Sequence, residues 1–185
     1  IPRTLAATVF GDMDFSIIRS KPASRLPIIT KALDEASRGR AYSAAKAEMD
    51  KGHKVYVVAP SIDSEDGELT SVEKLYDELK KKFKGYKLAL IHGRMSKADK
   101  ERIMADFAEG HVQMLVATVV IEVGIDVADA SLIIIENSER FGLAQLHQLR
   151  GRVGRSALQS YCYLINYSRS QTSTDRMNAM VRLQD

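Results

Sequence analysis

Leu88-Ala-Leu-Ile91 runs directly into His92-Gly93-Arg94-Met95-Ser96, and that junction decides the fold class. Four apolar residues in a row read as a short strand covered on both faces. Ser96 then offers a hydroxyl to cap a helix, with Asp99 favourably placed in the first turn. Ile103 and Phe107 mark the inner face of that helix, and Gly110 ends it.

The same strand-then-helix unit recurs on either side. Upstream, Val55-Tyr-Val-Val-Ala59 reads as a buried strand stopped by Pro60. Ser61 to Thr70 is acidic and polar and reads as an exposed loop. Val72, Leu75, Tyr76, Leu79 and Phe83 then form one apolar helical stripe that finishes in Lys80-Lys-Lys82, where cations suit the dipole. Downstream, Met114-Leu-Val-Ala117 and Leu132-Ile-Ile-Ile135 are further strands. Leu143, Leu146 and Leu149 give a helix its buried stripe, and Tyr161 to Ile165 is a final strand. Residues 31–51 are Ala-rich and read as a helix, interrupted near Arg38-Gly39-Arg40. Asp34 and Glu35 look superficially like a magnesium-holding pair. Such a pair normally ends a buried strand, which Ile29-Thr-Lys-Ala-Leu33 does not resemble, so both read as solvated helix residues.

This alternation predicts an α/β domain with a central parallel sheet and helices on both faces. Right-handed crossovers bring His92-Gly93, Thr118 to Asp126, and the loop after Glu136 to one side of that sheet. At 185 residues the chain can bury one sizeable core with appendages, and its 45% apolar and 28% charged content is ordinary for a globule. The formal charge is only +3, so any polyanion site must be local. The single cysteine, Cys162, lies in an apolar run and reads as a buried hydrophobe, which favours a reducing compartment. No signal peptide or membrane-spanning apolar stretch is apparent. Lys21-Pro-Ala-Ser-Arg25-Leu-Pro27 reads as a linker, and both ends of the chain read as cuts through a longer protein.

The chemistry concentrates in Gln148-Leu-Arg-Gly151-Arg152-Val-Gly154-Arg155. Two arginines three apart, each after a glycine, suit a shared helical face and paired hydrogen bonds to phosphate oxygens; a basic surface turn is the plainer alternative. Thr118 can donate to a phosphate at a sheet edge. Gly124 permits a tight turn, while Asp126 either accepts from a ribose hydroxyl, orients an arginine or caps a local turn. His92, Gly93 and Arg94 at a helix entrance suit an anion, though a loop histidine often satisfies only its own turn. No histidine or cysteine spacing supports a metal. The phosphate-binding loop and the acidic magnesium pair of a nucleotide hydrolase are both missing, so the arginines belong to half of an enzyme.

At these residues the chain resembles the second motor domain of superfamily 2 helicases, in particular the RecG family. The likeness runs through Ile1-Pro-Arg-Thr4, Gly11-Asp-Met-Asp14 with Ser16-Ile-Ile18, and Ile91-His-Gly-Arg-Met95. It continues through Thr118-Val-Val-Ile-Glu-Val-Gly-Ile-Asp126 and the unbroken run from Ile135-Glu-Asn-Ser-Glu-Arg-Phe-Gly-Leu143 to Arg155. Two departures stand out: Lys21-Pro-Ala-Ser-Arg25 replaces a Pro-Pro-Gly-Arg linker, and Val119 replaces a threonine.

The resemblance implies a RecA-like helicase C-terminal domain over residues 27–170. Residues 1–26 would be the tail of a first motor domain and its linker, and 171–185 the start of a C-terminal coupling region. It implies Arg152 and Arg155 as catalytic arginine fingers, and Gly124, Asp126, Gln148 and Gly151 on the nucleotide side. His92, Gly93, Arg94, Thr118 and Glu122 would contact DNA. ATP and Mg2+ would be held mainly by the first RecA-like domain of the same chain, outside these residues. The implied partner is branched or duplex DNA, such as stalled forks and Holliday junctions, engaged by a monomer in the bacterial cytoplasm without a membrane. The fragment alone would be inactive as an ATPase. A transcription-repair coupling factor motor domain and a non-catalytic nucleic-acid-binding module are the alternatives.

Overall fold

The computed structural model describes residues 26–60, 65–118, 127 and 129–183, with side chains omitted over 65–70. Six strands form one sheet: β1 (Ile29–Leu33), β2 (Lys54–Ala59), β3 (Leu88–Ile91), β4 (Met114–Thr118), β5 (Ala130–Ile135) and β6 (Tyr161–Ile165). Their order is β1-β6-β5-β2-β4-β3, and every pair is parallel. Five helices surround it: α1 (Gly39–Asp50), α2 (Glu65–Lys82), α3 (Lys97–Ala108), α4 (Leu143–Arg150) and α5 (Gln171–Arg182). A single 3-10 turn, Ser138–Arg140, follows β5.

β2, β4 and β5 are buried along their whole length, so they read as unbroken apolar runs. Side chains alternate between two cores. Val55 and Val57 meet Tyr42, Leu79 and Phe83 of the α1/α2 side. Tyr56 and Val58 face Met104, Phe107, Leu146 and Met177 on the other. Ser96 caps α3 as its position predicts, accepting from the Asp99 amide at 3.1 Å. Cys162 is fully buried, and burial pushes its thiol up to about 12, so it is inert at neutral pH.

Several expectations are corrected. Ile29–Leu33 is a strand and not part of a helix. It lies at the sheet's edge and pairs only with β6, so its short mixed run carries no continuous apolar signal. Asp34 and Glu35 accordingly sit in the turn after a strand, where Asp34 Oδ1 accepts from the Ser37 amide at 2.9 Å. Helix α2 begins at Glu65, inside the stretch read as loop. Leu143 opens α4 but stays 39% exposed, leaving Leu146 and Leu149 to carry the packing. The folded unit also continues past residue 170. α5 lies against β1 and buries Met177 and Met180 in the core, so it does not begin a separate region. Residues 1–25, with the proposed tail and the linker prolines, fall outside the described residues. Among those described, no helix is long and apolar enough to cross a membrane.

Candidate functional site

A parallel sheet has two unlike ends, and the predicted site residues divide between them. At the carboxyl end, β3 delivers His92 and β4 ends on Thr118, while Glu136 follows β5. Register pairs Thr118 with Ala59 of β2, so these loops share one rim as predicted. His92 forms a tight turn: Met95 N donates to its carbonyl at 3.2 Å, and Arg94 N to its imidazole Nδ1 at 3.2 Å. The Arg94 amide is therefore committed to His92 and is not the open anion donor its position promised. A neutral His92 must carry its proton on Nε2. Gly93 and the Arg94 side chain are exposed. Thr118 is only 1% exposed, and its hydroxyl is buried with no hydrogen-bond partner among the described residues.

Glu136 is the one predicted acidic feature at this rim whose geometry is complete. Arg38 Nε donates to Oε1 at 2.7 Å, Tyr42 OH to the same oxygen at 2.5 Å, and Tyr167 OH to Oε2 at 2.7 Å. Arg38 also reaches Glu78 of α2 at 2.9 Å. Burial works against the Arg38 charge, but Tyr42 and Glu136 outweigh it and raise its pKa. Burial first, then Glu136, raises Tyr42. The carboxylate is structural, and nothing in its shell leaves room for a metal.

The Gly/Arg stretch lies at the opposite, amino end. α4 stops at Arg150, and Gly151 closes it, donating to His147 O at 3.1 Å. Arg152 and Arg155 thus follow the helix and share no helical face. The turn is forced by Gly154, whose φ of +78° favours glycine. The loop lies on the incoming chain: a Cβ at Gly154 would stand 2.8 Å from Ile28 Cγ1, and Gln159 Nε2 donates to Pro27 O at 2.9 Å. Ile29 N donates to Ser160 O at 3.0 Å, extending that seam into β1. Arg155 is exposed, with Nε donating to Gly151 O at 3.2 Å; Arg152 is half-buried and Gln148 is exposed on α4. Gly154→Ala is expected to lose about 1–3 kcal/mol from backbone strain plus the Ile28 contact. Thermal melting should show it as a fall of roughly 3–10 °C, only partly relieved by adding Ile28→Ala.

Glu122, Gly124 and Asp126 lie outside the described residues. The flanking positions are informative nonetheless. Thr118 ends β4 at the carboxyl rim, whereas Val127 accepts from Ala130 N at 3.1 Å beside the start of β5.

Sequence inspection missed the third arginine of the motif. Arg150 is 4% exposed, and its Nη1 faces Met180 O at 2.9 Å, Leu183 O at 2.7 Å and Thr30 Oγ1 at 3.2 Å. Nη2 lies 3.1 Å from His147 Nδ1. Its place on the Leu146–Leu149 stripe side of α4 was the available signal. Metal-ligand spacing was also judged on His and Cys alone. Asp106, Glu109 and His111 bring ligand atoms within 4.8 Å of one another at the end of α3, on an open surface apart from both rims.

Residues 38–157 match the family described as the helicase conserved C-terminal domain. The chain is 48% identical over 167 residues to the ATP-dependent DNA helicase RecG of Treponema pallidum, spanning 90% of this chain and 24% of that protein. It is 46% identical over 182 residues to RecG of Streptococcus pneumoniae, spanning 97% and 27%. The chain therefore covers about a quarter of the length of these relatives. A solved structure of RecG bound to a three-way DNA junction superposes with TM-score 0.77 at 37% identity, over 100% of this chain and 24% of that one. The C-terminal domain of the DEAD-box protein Dbp5 superposes at 0.58 with 16% identity, over 86% and 84%, which speaks to the fold alone. Together these place the chain in the RecG family of superfamily 2 helicases, as one of its RecA-like modules.

Proposed function

We propose that this chain is the second motor lobe of an ATP-dependent DNA helicase that remodels branched DNA. ATP would lie between it and a first lobe preceding residue 26. One observation carries the reading: the Gly151–Arg155 loop lies on the surface and is fastened to Pro27 and Ile28, where the chain arrives from that first lobe. Arginines anchored beside a hinge can enter and leave a nucleotide cleft as the lobes close and open. The relatives' names and the junction-bound RecG structure support DNA as the substrate.

Arg152 and Arg155 fit the triphosphate of ATP, since both are cationic and neither is packed into the core. Mg2+ fits poorly here. The acidic residue at the β5 end, Glu136, is fully engaged by Arg38, Tyr42 and Tyr167. The metal would therefore be held by the first lobe. Bound ATP supplies a phosphoryl group whose transfer builds charge on its oxygens, and the arginine loop is placed to stabilise that charge. Nucleic acid would lie across the carboxyl rim at His92–Arg94 and Thr118, with backbone contacts giving little sequence preference.

An ATP analogue carrying a photoreactive group on the γ-phosphate tests the arrangement. In the full-length protein it is expected to label residues 151–155, and a chain of residues 26–183 alone should remain unlabelled. Labelling confined to the first lobe would overturn the reading.

A further inference from the structure

The loop after β5 is held more firmly than a connector requires. Asn137 adopts φ 50° and ψ 48°, the only non-glycine residue with positive φ among those described. Such a conformation persists where the surroundings dictate it, and it clusters at functional sites. Here they do so from every direction. Glu136 is bound by Arg38, Tyr42 and Tyr167. Ser138 Oγ donates to Ile165 O at 2.9 Å, and Tyr167 N to Glu139 Oε1 at 2.9 Å. Arg176 of α5 donates to Glu139 O at 3.0 Å and to Phe141 O at 3.1 Å. The side chain this scaffold leaves untied is Arg140, which is exposed and has no hydrogen bond or ion pair among the described residues.

Arg140 lines a cleft of about 750 Å³ at the carboxyl ends of β2 and β5. Lys74 of α2 lines the same cleft and is likewise exposed and unpaired among the described residues. The acidic neighbours do not cancel this pair, because Glu78 and Glu136 are both matched by Arg38. From β5 to β3 the order β5-β2-β4-β3 spans three strand steps. At nearly 5 Å each that is about 14 Å, comparable with the width of a DNA groove at roughly 12 Å. A duplex whose one strand rests at His92 and Thr118 would bring the other strand's phosphates to this cleft.

We propose that Arg140 and Lys74 form a second phosphate contact, specific to duplex DNA, that holds the strand opposite the one gripped at His92 and Thr118. This rests on the reading of the carboxyl rim as the nucleic-acid face, and goes beyond it by assigning the second strand. A guanidinium fixed on a rigid loop suits paired hydrogen bonds to a phosphate, with the lysine as a point charge beside it.

The test is DNA binding by the full-length protein over a range of salt, using a blunt duplex and a single strand of equal length. Each lost duplex phosphate contact lowers the slope of log affinity against log salt by about 0.9. Arg140→Ala should lower it by about one such step, and Arg140→Ala with Lys74→Ala by about two. Arg140→Lys should keep most of the slope, and single-strand binding should not change. An unchanged duplex slope would overturn the proposal. So would an equal loss on the single strand, or a melting temperature lowered by several degrees, which would assign Arg140 to the fold. If the unsubstituted protein binds neither DNA, the reading of the carboxyl rim fails as well.

Discussion

Arg152→Ala and Arg155→Ala, each made in the full-length protein, are expected to bring DNA-stimulated ATP turnover close to background. An arginine offered across an interface to a transferring phosphoryl group contributes on the order of a thousandfold or more, equivalent to about 4 kcal/mol. Because that contact matures as charge develops, the loss should fall on kcat, with KM for ATP changing little. Lysine should not rescue either position, since a point charge cannot reproduce the planar fork of donors. The two substitutions should differ in one respect. Arg155 is exposed and held through Nε by the Gly151 carbonyl, so its loss should leave the fold untouched. Arg152 is half-buried beside Val153, which is 2% exposed, so some loss of melting temperature should accompany its removal. Duplex binding should persist in both, because the loop and the His92–Thr118 rim lie at opposite ends of the sheet. Undiminished turnover in either variant would refute the arginine-finger role.

The central strands were legible because burial on both faces imposes an apolar run: Leu88–Ile91 and Tyr161–Ile165 are observed with the bounds their composition implies. The edge strand was not. Ile29–Leu33 pairs on one side only, and β6, its partner, lies far along the chain, so no local pattern announces it. The site was legible as residue types but not as geometry. Glycines beside arginines advertised phosphate chemistry, yet helical spacing placed Arg152 and Arg155 on one face of a helix that ends at Arg150. What ends it there is a long-range contact: the loop turns at Gly154 to lie on Ile28. Similarly, Glu136 ends a strand as a metal-binding acid would, and only the folded chain shows Arg38 and two tyrosines closing on it. Pattern reports what a residue can do; partners distant in sequence decide which of those things it does.

Arg150→Ala should destabilise the domain by about 3–4 kcal/mol, a fall in melting temperature of roughly 6–16 °C. The buried guanidinium has no carboxylate partner among the described residues; its charge is met by carbonyls at the end of α5, where the helix dipole favours a cation. Alanine would leave Met180 O, Leu183 O and Thr30 Oγ1 short of a donor in a buried place and open a cavity where the side chain had lain. Arg150→Met separates these effects, because it refills most of the volume without restoring a donor. It should recover the packing share and remain well below the unsubstituted protein. Arg150→Lys should recover only part of the hydrogen bonding, as one ammonium cannot span acceptors on α5 and β1 together. The loss should be local before it is global: amide exchange is expected to quicken first over Gln171–Arg182 and then in the Gly151–Arg155 loop, which begins one residue beyond Arg150. If Arg150→Met proved as stable as the unsubstituted domain, the guanidinium would be only filler, and the link between α5 and the arginine loop would be lost with it.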